Sequence, residues 1–218
     1  MLVVFDVDGT LVRTVELDAA LYARAFAETV GQALPSDDWS SYRRVTDRGI
    51  AEEALARLGR RGSAAVLDAL RRRFLEHLDG ALAFDETRQV AGAAAMLARL
   101  RADGHTVAIA TGAWEASARL KLARAGLAIE GCALAACDDE PDRVGILRAA
   151  IARVATAHDR VVYVGDGPWD AEAARTLALR FVGIDHDATG RLASAACVVL
   201  RDYADGDAFV RAAGLTAR

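Results

Sequence analysis

Short apolar runs alternate with helical stretches along most of this chain, and the rhythm breaks once, just after the first run. Leu2–Phe5, Thr106–Ala110 and residues 161–164 and 180–183 read as strands, with a weaker one over 132–136 and an edge over 197–200. They are continuous and rich in β-branched residues, as strands buried on both faces are. Helical stretches over 92–103, 114–125, 142–158 and 169–179 lie between them. Strand and helix in strict alternation specify an α/β fold, a doubly wound parallel sheet with right-handed crossovers. Such a sheet binds ligands at the carboxyl ends of its strands.

Residues 14–84 carry helical patterns only, over 16–29, 49–58 and 64–78. Pro35-Ser36-Asp37-Asp38 and the stretch from Gly59 to Gly62 supply the breaks. A block this long is no ordinary loop. It is expected to form an inserted all-helical cap domain over 14–86, with 1–13 and 87–218 forming the Rossmann-like core.

Composition narrows the functional classes. Hydrophobic residues at 53% with three prolines describe a globular chain rather than a disordered or collagen-like one. A net charge of −4 argues against a general nucleic-acid binder. Cys132, Cys137 and Cys197 form no CxxC pair and read as buried thiols in a reducing compartment. No apolar run approaches the roughly 20 residues of a membrane span, and Met1 leads straight into the first strand rather than into a signal peptide. A cytoplasmic monomer or weak homodimer is expected, with no nucleic-acid or membrane partner.

Chemistry concentrates at the strand ends. Asp6-Val7-Asp8-Gly9-Thr10 follows the first strand, and in extended chain Asp6 and Asp8 point to one side. Ile109-Ala110-Thr111-Gly112 puts a hydroxyl and a flexible amide at a second tip, and Gly165-Asp166-Gly167-Pro168-Trp169-Asp170 adds two carboxylates at a third. Each alone reads as a turn or a helix cap. On one edge of a parallel sheet the four aspartates converge, and an all-oxygen site of that charge suits Mg²⁺.

Phe-Asp-Val-Asp-Gly-Thr-Leu at residues 5–11, Thr111, and Gly165-Asp166 followed by Asp170 resemble three of the four motifs of the haloacid dehalogenase superfamily, in its helical-cap branch of phosphoglycolate phosphatases and β-phosphoglucomutases. The resemblance implies that Asp6 is the nucleophile and forms an aspartyl-phosphate. Asp8 would protonate the leaving oxygen and then deprotonate water. Mg²⁺ would be held by Asp6, the Asp8 carbonyl and Asp166, with Asp170 ligating it or orienting a bound water. Thr111 and the Gly112 amide would hold phosphoryl oxygens. True dehalogenases resemble Asp-x-Tyr at Asp8 and phosphonate-cleaving members carry Ala, so phosphoryl transfer is the expected chemistry.

The third motif departs. Family members usually place a lysine after the third core strand, where this chain reads Asp138-Asp139-Glu140-Pro141-Asp142-Arg143. Lys121, the only lysine, lies ten residues past Thr111 on a helix leaving the tips at about 1.5 Å per residue, and reads as a solvated surface residue. Arg143 either grips phosphate and nucleophile in its place or merely pairs with Asp138, Asp139 or Asp142. Thr46-Asp47-Arg48-Gly49 reads as a helix cap rather than a substrate contact. Arg71-Arg72-Arg73 reads as a solvated face. Trp169 either packs its loop or borders the substrate.

The expected function is Mg²⁺-dependent hydrolysis of a small phosphomonoester, in the manner of phosphoglycolate phosphatases. The alternatives are a β-phosphoglucomutase-like phosphomutase, or a catalytically weak binding or regulatory protein of the same fold.

Overall fold

The computed structural model describes residues 1–83, 89–154, 160–195 and 197–215. Strand β1 (Leu2–Phe5) is followed by α1 (Val15–Val30), a single 3-10 turn at Trp39–Ser41, α2 (Asp47–Arg57) and α3 (Ala64–Leu82). The alternating part then runs α4 (Ala93–Ala102), β2 (Thr106–Ala110), α5 (Glu115–Arg124), β3 (Ala133–Ala135), α6 (Arg143–Ala152), β4 (Val161–Gly165), α7 (Pro168–Thr176), β5 (Arg180–Ile184), β6 (Val198–Leu200) and α8 (Gly206–Ala213). All strands pair in parallel, in the order β3-β2-β1-β4-β5-β6. The doubly wound sheet stands.

Period-two alternation splits the sheet into two cores. Val3, Phe5, Val107 and Ile109 pack with α4, α5 and α8, where Phe5 stacks on Phe209. Leu2, Val4, Ala108 and Ala110 face the other way, into a core shared with α6, α7 and the helices of the inserted block. Order reverses between β1 and β4, so the crevice at their carboxyl ends is the switch point where doubly wound sheets bind ligands.

The secondary-structure elements of the inserted block are all helical among its described residues, as its patterning requires. α1 and α3 pack along one another through Tyr22, Phe26 and Phe74. Ser63 caps α3 and Thr46 caps α2, each accepting from an amide three residues on. The expected cap–core division at 86/87 falls within 84–88, outside the described residues, as does the expected end of the 142–158 helix. Helix α8 had no counterpart in the strand–helix pattern. Its signals are local, an Asp205 cap accepting from the Ala208 amide and a left-handed Gly214 at its end.

Candidate active site

Each strand tip delivers a polar group because the strand stops where buried apolar sequence stops. β1 hands Asp6 into the crevice with its amide donating to the Val164 carbonyl at 2.9 Å, so the first tip is tied to the third. Asp6 is buried. Gly9 then turns the chain at φ 73°, and a Cβ there would lie 2.1 Å from Asp166 Oδ2. Only glycine lets the β1 loop approach that carboxylate.

Arg143, the first residue of α6, reaches the same place. Its Nη1 lies 3.0 Å from Asp6 Oδ1 and 3.1 Å from Asp170 Oδ1, while Nε donates to the Val45 carbonyl at 3.1 Å. Neither Arg143 Nη1 nor Asp6 Oδ1 has an aligned hydrogen-bond partner, so this contact is charge attraction with donor and acceptor left to serve a ligand. The neighbouring acids are occupied elsewhere. Asp142 caps α6, Asp139 pairs with Arg153, and Asp138 takes Arg71 and the Glu115 amide. Arg143 therefore lies on the nucleophile candidate rather than on Asp138, Asp139 or Asp142. Gly112 makes room for it, since a Cβ there would sit 2.7 Å from the guanidinium. Thr111 lies buried at the β2 tip, its hydroxyl accepting from the Ala113 amide at 3.2 Å.

Asp166 and Asp170 hold the third tip. Asp170 is fully enclosed, with Oδ1 accepting from the Tyr163 hydroxyl at 2.8 Å and Oδ2 from the Gly167 amide at 3.1 Å. Both its oxygens are thus engaged. Asp166 Oδ2 accepts from Arg191 at 3.0 Å. Asp6, Asp166 and Asp170 each present an oxygen within 4.8 Å of the others. Three buried carboxylates this close need positive charge among them, and hard oxygen donors fit Mg²⁺.

Lys121 overturns its expected place on the surface. Its side chain is fully buried and donates to Asp8 Oδ2 at 2.7 Å and to Asp18 Oδ1 at 3.0 Å. Side chains on a helix slant back toward its N-terminus, so a four-carbon stem on α5 returns to the tips that the backbone leaves. Thr14 donates to the other oxygen of Asp8. Arg71, Arg72 and Arg73 lie exposed on α3 as expected, with Arg71 also bonding Asp138 across to the core at 2.6 Å.

Thr46 and Asp47 divide the roles weighed for them. Thr46 caps α2, but Asp47 also faces the pocket, its carboxylate accepting from the Trp114 amide and its own amide donating to the Gly112 carbonyl, at 2.9 and 2.8 Å. Trp169 borders the pocket too. Asp18, Tyr22, Trp39 and Arg191 line it without any signal in the sequence. A lone acid on an amphipathic helix looks like solvated surface, and Arg191 is aimed by a turn in which Asp185 accepts from Thr189 and Gly190.

Burial dominates the electrostatics. It pushes the carboxyl of Asp6 up to about 7 against the pull of Arg143, that of Asp18 up to about 8 against Lys121, and that of Asp47 up to about 7. Burial also opposes the charge on Lys121, but Asp18, Asp8 and Asp47 together outweigh it and hold the ammonium charged. Between the ordinary carboxylate value and these raised ones, the folded chain holds protons that the unfolded chain has released. Stability therefore falls as pH rises through that window. The metal-free protein is expected to melt lower at about pH 8 than at about pH 5.5, and Mg²⁺ to raise the melting temperature more at the higher pH, where protons compete less for its ligands. Scanning calorimetry checks this, and metal-free stability that climbs over that range would contradict it.

Comparison with known proteins agrees with the geometry. A haloacid dehalogenase-like hydrolase family model matches residues 1–177. A phosphoglycolate phosphatase of Mesorhizobium japonicum is 28% identical over 199 residues, covering 87% of this chain and 85% of that protein. In structure, a hydrolase from Pseudomonas syringae superposes with a TM-score of 0.76 at 21% identity, over 96% of this chain and 97% of that one. CbbY from Rhodobacter sphaeroides, solved in complex with phosphate, gives 0.70 at 23% identity over 94% and 95%. Among the described residues no helix is long and apolar enough to cross a membrane. With a family model spanning four-fifths of its length and a phosphatase among its relatives, the chain belongs to the haloacid dehalogenase-like hydrolases and is an enzyme of their phosphatase type.

Proposed function

We propose that the protein hydrolyses a small phosphomonoester in the presence of Mg²⁺, through a phosphoryl group carried on Asp6. One observation supports this above the rest. The buried Asp6 Oδ1, short of an aligned donor, faces a guanidinium 3.0 Å away inside a pocket roofed by α1 and α2. In the first displacement an Asp6 oxygen bonds to phosphorus and the P–O bond to the leaving alcohol breaks, the alcohol oxygen taking a proton from the Asp8 carboxyl. Water then attacks phosphorus, returns its proton to Asp8, and releases Asp6 and inorganic phosphate.

Asp6, Asp166 and the Asp8 carbonyl would hold Mg²⁺, which when bound stabilises negative charge on the transferring group. Asp170 would ligate the ion or orient a bound water, and its Oδ1, 3.1 Å from Nη1, also positions Arg143. Arg143 and the Gly112 amide bind the equatorial oxygens, Thr111 shapes the β2 tip beneath them, and Thr14 and Lys121 fix where the Asp8 carboxyl waits. α1 and α2 exclude bulk water and select the leaving group, as lids do.

Phosphate release from an aryl phosphate tests the reading. Release is expected to require Mg²⁺ and to stop with a chelator. Arg143→Ala is expected to lower kcat/KM by roughly 10²–10³, the usual cost of one oriented donor to a transition-state anion, and Arg143→Lys to recover part of it. No Mg²⁺-dependent release from the parent protein would overturn the proposal.

A further inference from the structure

The two ends of the pocket differ in charge. At the phosphoryl end Arg143 and Arg191 face inward. At the other end α1 and α2 contribute Asp18 and Asp47 among apolar and aromatic side chains, and no basic residue of the described cap lines the pocket. Lys121, which lies beside these carboxylates, is fully buried and bonded to Asp8 and Asp18. Asp47 has a single backbone N–H, that of Trp114, as its carboxylate's donor. Cap arginines are turned elsewhere, Arg44 and Arg48 to Glu52 and Arg71 to Asp138.

Above the raised values of these two acids, about 8 for Asp18 and about 7 for Asp47, a second anion on the substrate would meet like charge with no unpaired cation of the described cap to receive it. Amine or hydroxyl hydrogens would find acceptors, and the Tyr22 and Trp39 rings suit a cationic or apolar carbon chain. The cavity, about 80 Å³, holds on the order of five to eight waters, room for a phosphoryl group and a few further heavy atoms. We infer that the leaving group is a compact alcohol that carries no anion and presents N–H or O–H donors, an amino alcohol or polyol rather than a hydroxy acid or a second phosphate. This rests on the phosphatase reading and narrows its substrate.

Three esters matched in size separate the possibilities: 2-aminoethyl phosphate, 2-hydroxyethyl phosphate and phosphoglycolate. With Mg²⁺ at about pH 8.5, where both acids are mostly ionised, kcat/KM for the first two is expected to exceed that for phosphoglycolate by about tenfold or more, a gap of one decade per about 1.4 kcal/mol. Asp47→Asn, which keeps an acceptor for the Trp114 amide, is expected to shrink the gap several-fold by rescuing phosphoglycolate. Equal or faster turnover of phosphoglycolate by the parent protein would overturn the inference and leave the phosphatase reading intact. No release from these esters or from an aryl phosphate above an Asp6→Asn control would overturn both.

Discussion

Asp6→Asn is expected to abolish turnover while leaving the protein folded, and more stable than the parent without metal. The side chains are nearly isosteric, so packing at the β1 tip survives. Chemistry does not, because an amide oxygen is a poor nucleophile toward phosphorus and its phosphoryl adduct would not form. Losing a nucleophile that acts in concert with its neighbours costs about 10⁴–10⁶ in kcat. The stability change has the opposite sign. Burial holds the Asp6 carboxyl up near 7 even beside Arg143, so above that pH the folded state carries a charge it would rather not bury. A neutral amide relieves that cost, and at about pH 8 the metal-free melting temperature is expected to rise by a few degrees. Mg²⁺ should stabilise the variant less than the parent. Paired activity and calorimetry check both halves, and residual activity within about tenfold of the parent would remove Asp6 from the nucleophile role.

Lys121→Met is expected to destabilise the fold strongly. Methionine matches the lysine stem in shape but leaves Asp8 and Asp18, with Asp47 nearby, facing one another without an ammonium. Removing one partner of a buried ion pair typically costs about 3–5 kcal/mol, because the other charges stay buried. Repulsion should also displace Asp8 and depress turnover. A double-mutant cycle separates charge from packing: Lys121→Met with Asp18→Asn is expected to recover more than half of the lost stability. Denaturant titration of the four proteins measures it. A loss below about 1 kcal/mol for Lys121→Met would mean the ammonium is not needed to hold these acids.

Lys121 also marks where sequence reading stops. The sheet was legible because its strands are short, apolar and spaced by helices, and β1 and β2 begin and end where their patterning predicts, at Leu2–Phe5 and Thr106–Ala110. The acidic tips were legible because a parallel sheet sends every carboxyl end to one edge. Arg143 could be narrowed to two roles, and the geometry joins it to Asp6. What stayed hidden depends on side-chain direction or on packing between distant segments. Lys121 returns along its helix to a site that its backbone leaves. Asp18 acquires its meaning only when α1 lies over the β1 loop, and Arg191 only when the Asp185 turn aims it at Asp166. None of these leaves a periodic trace in the chain.

The most direct test of the account is to catch the phosphoryl group in transit. Mixing the Mg²⁺-loaded protein with a turned-over phosphomonoester, quenching in acid within the first turnover and mapping peptides by mass spectrometry should find one phosphorylated residue, Asp6. The adduct should vanish in Asp6→Asn, and in Asp8→Asn it should accumulate from an aryl phosphate, whose leaving group needs no proton while the attack of water still lacks its base. A phosphoryl group on any other side chain, or a full turnover of product with Asp6 unmodified at every quench time, would contradict it.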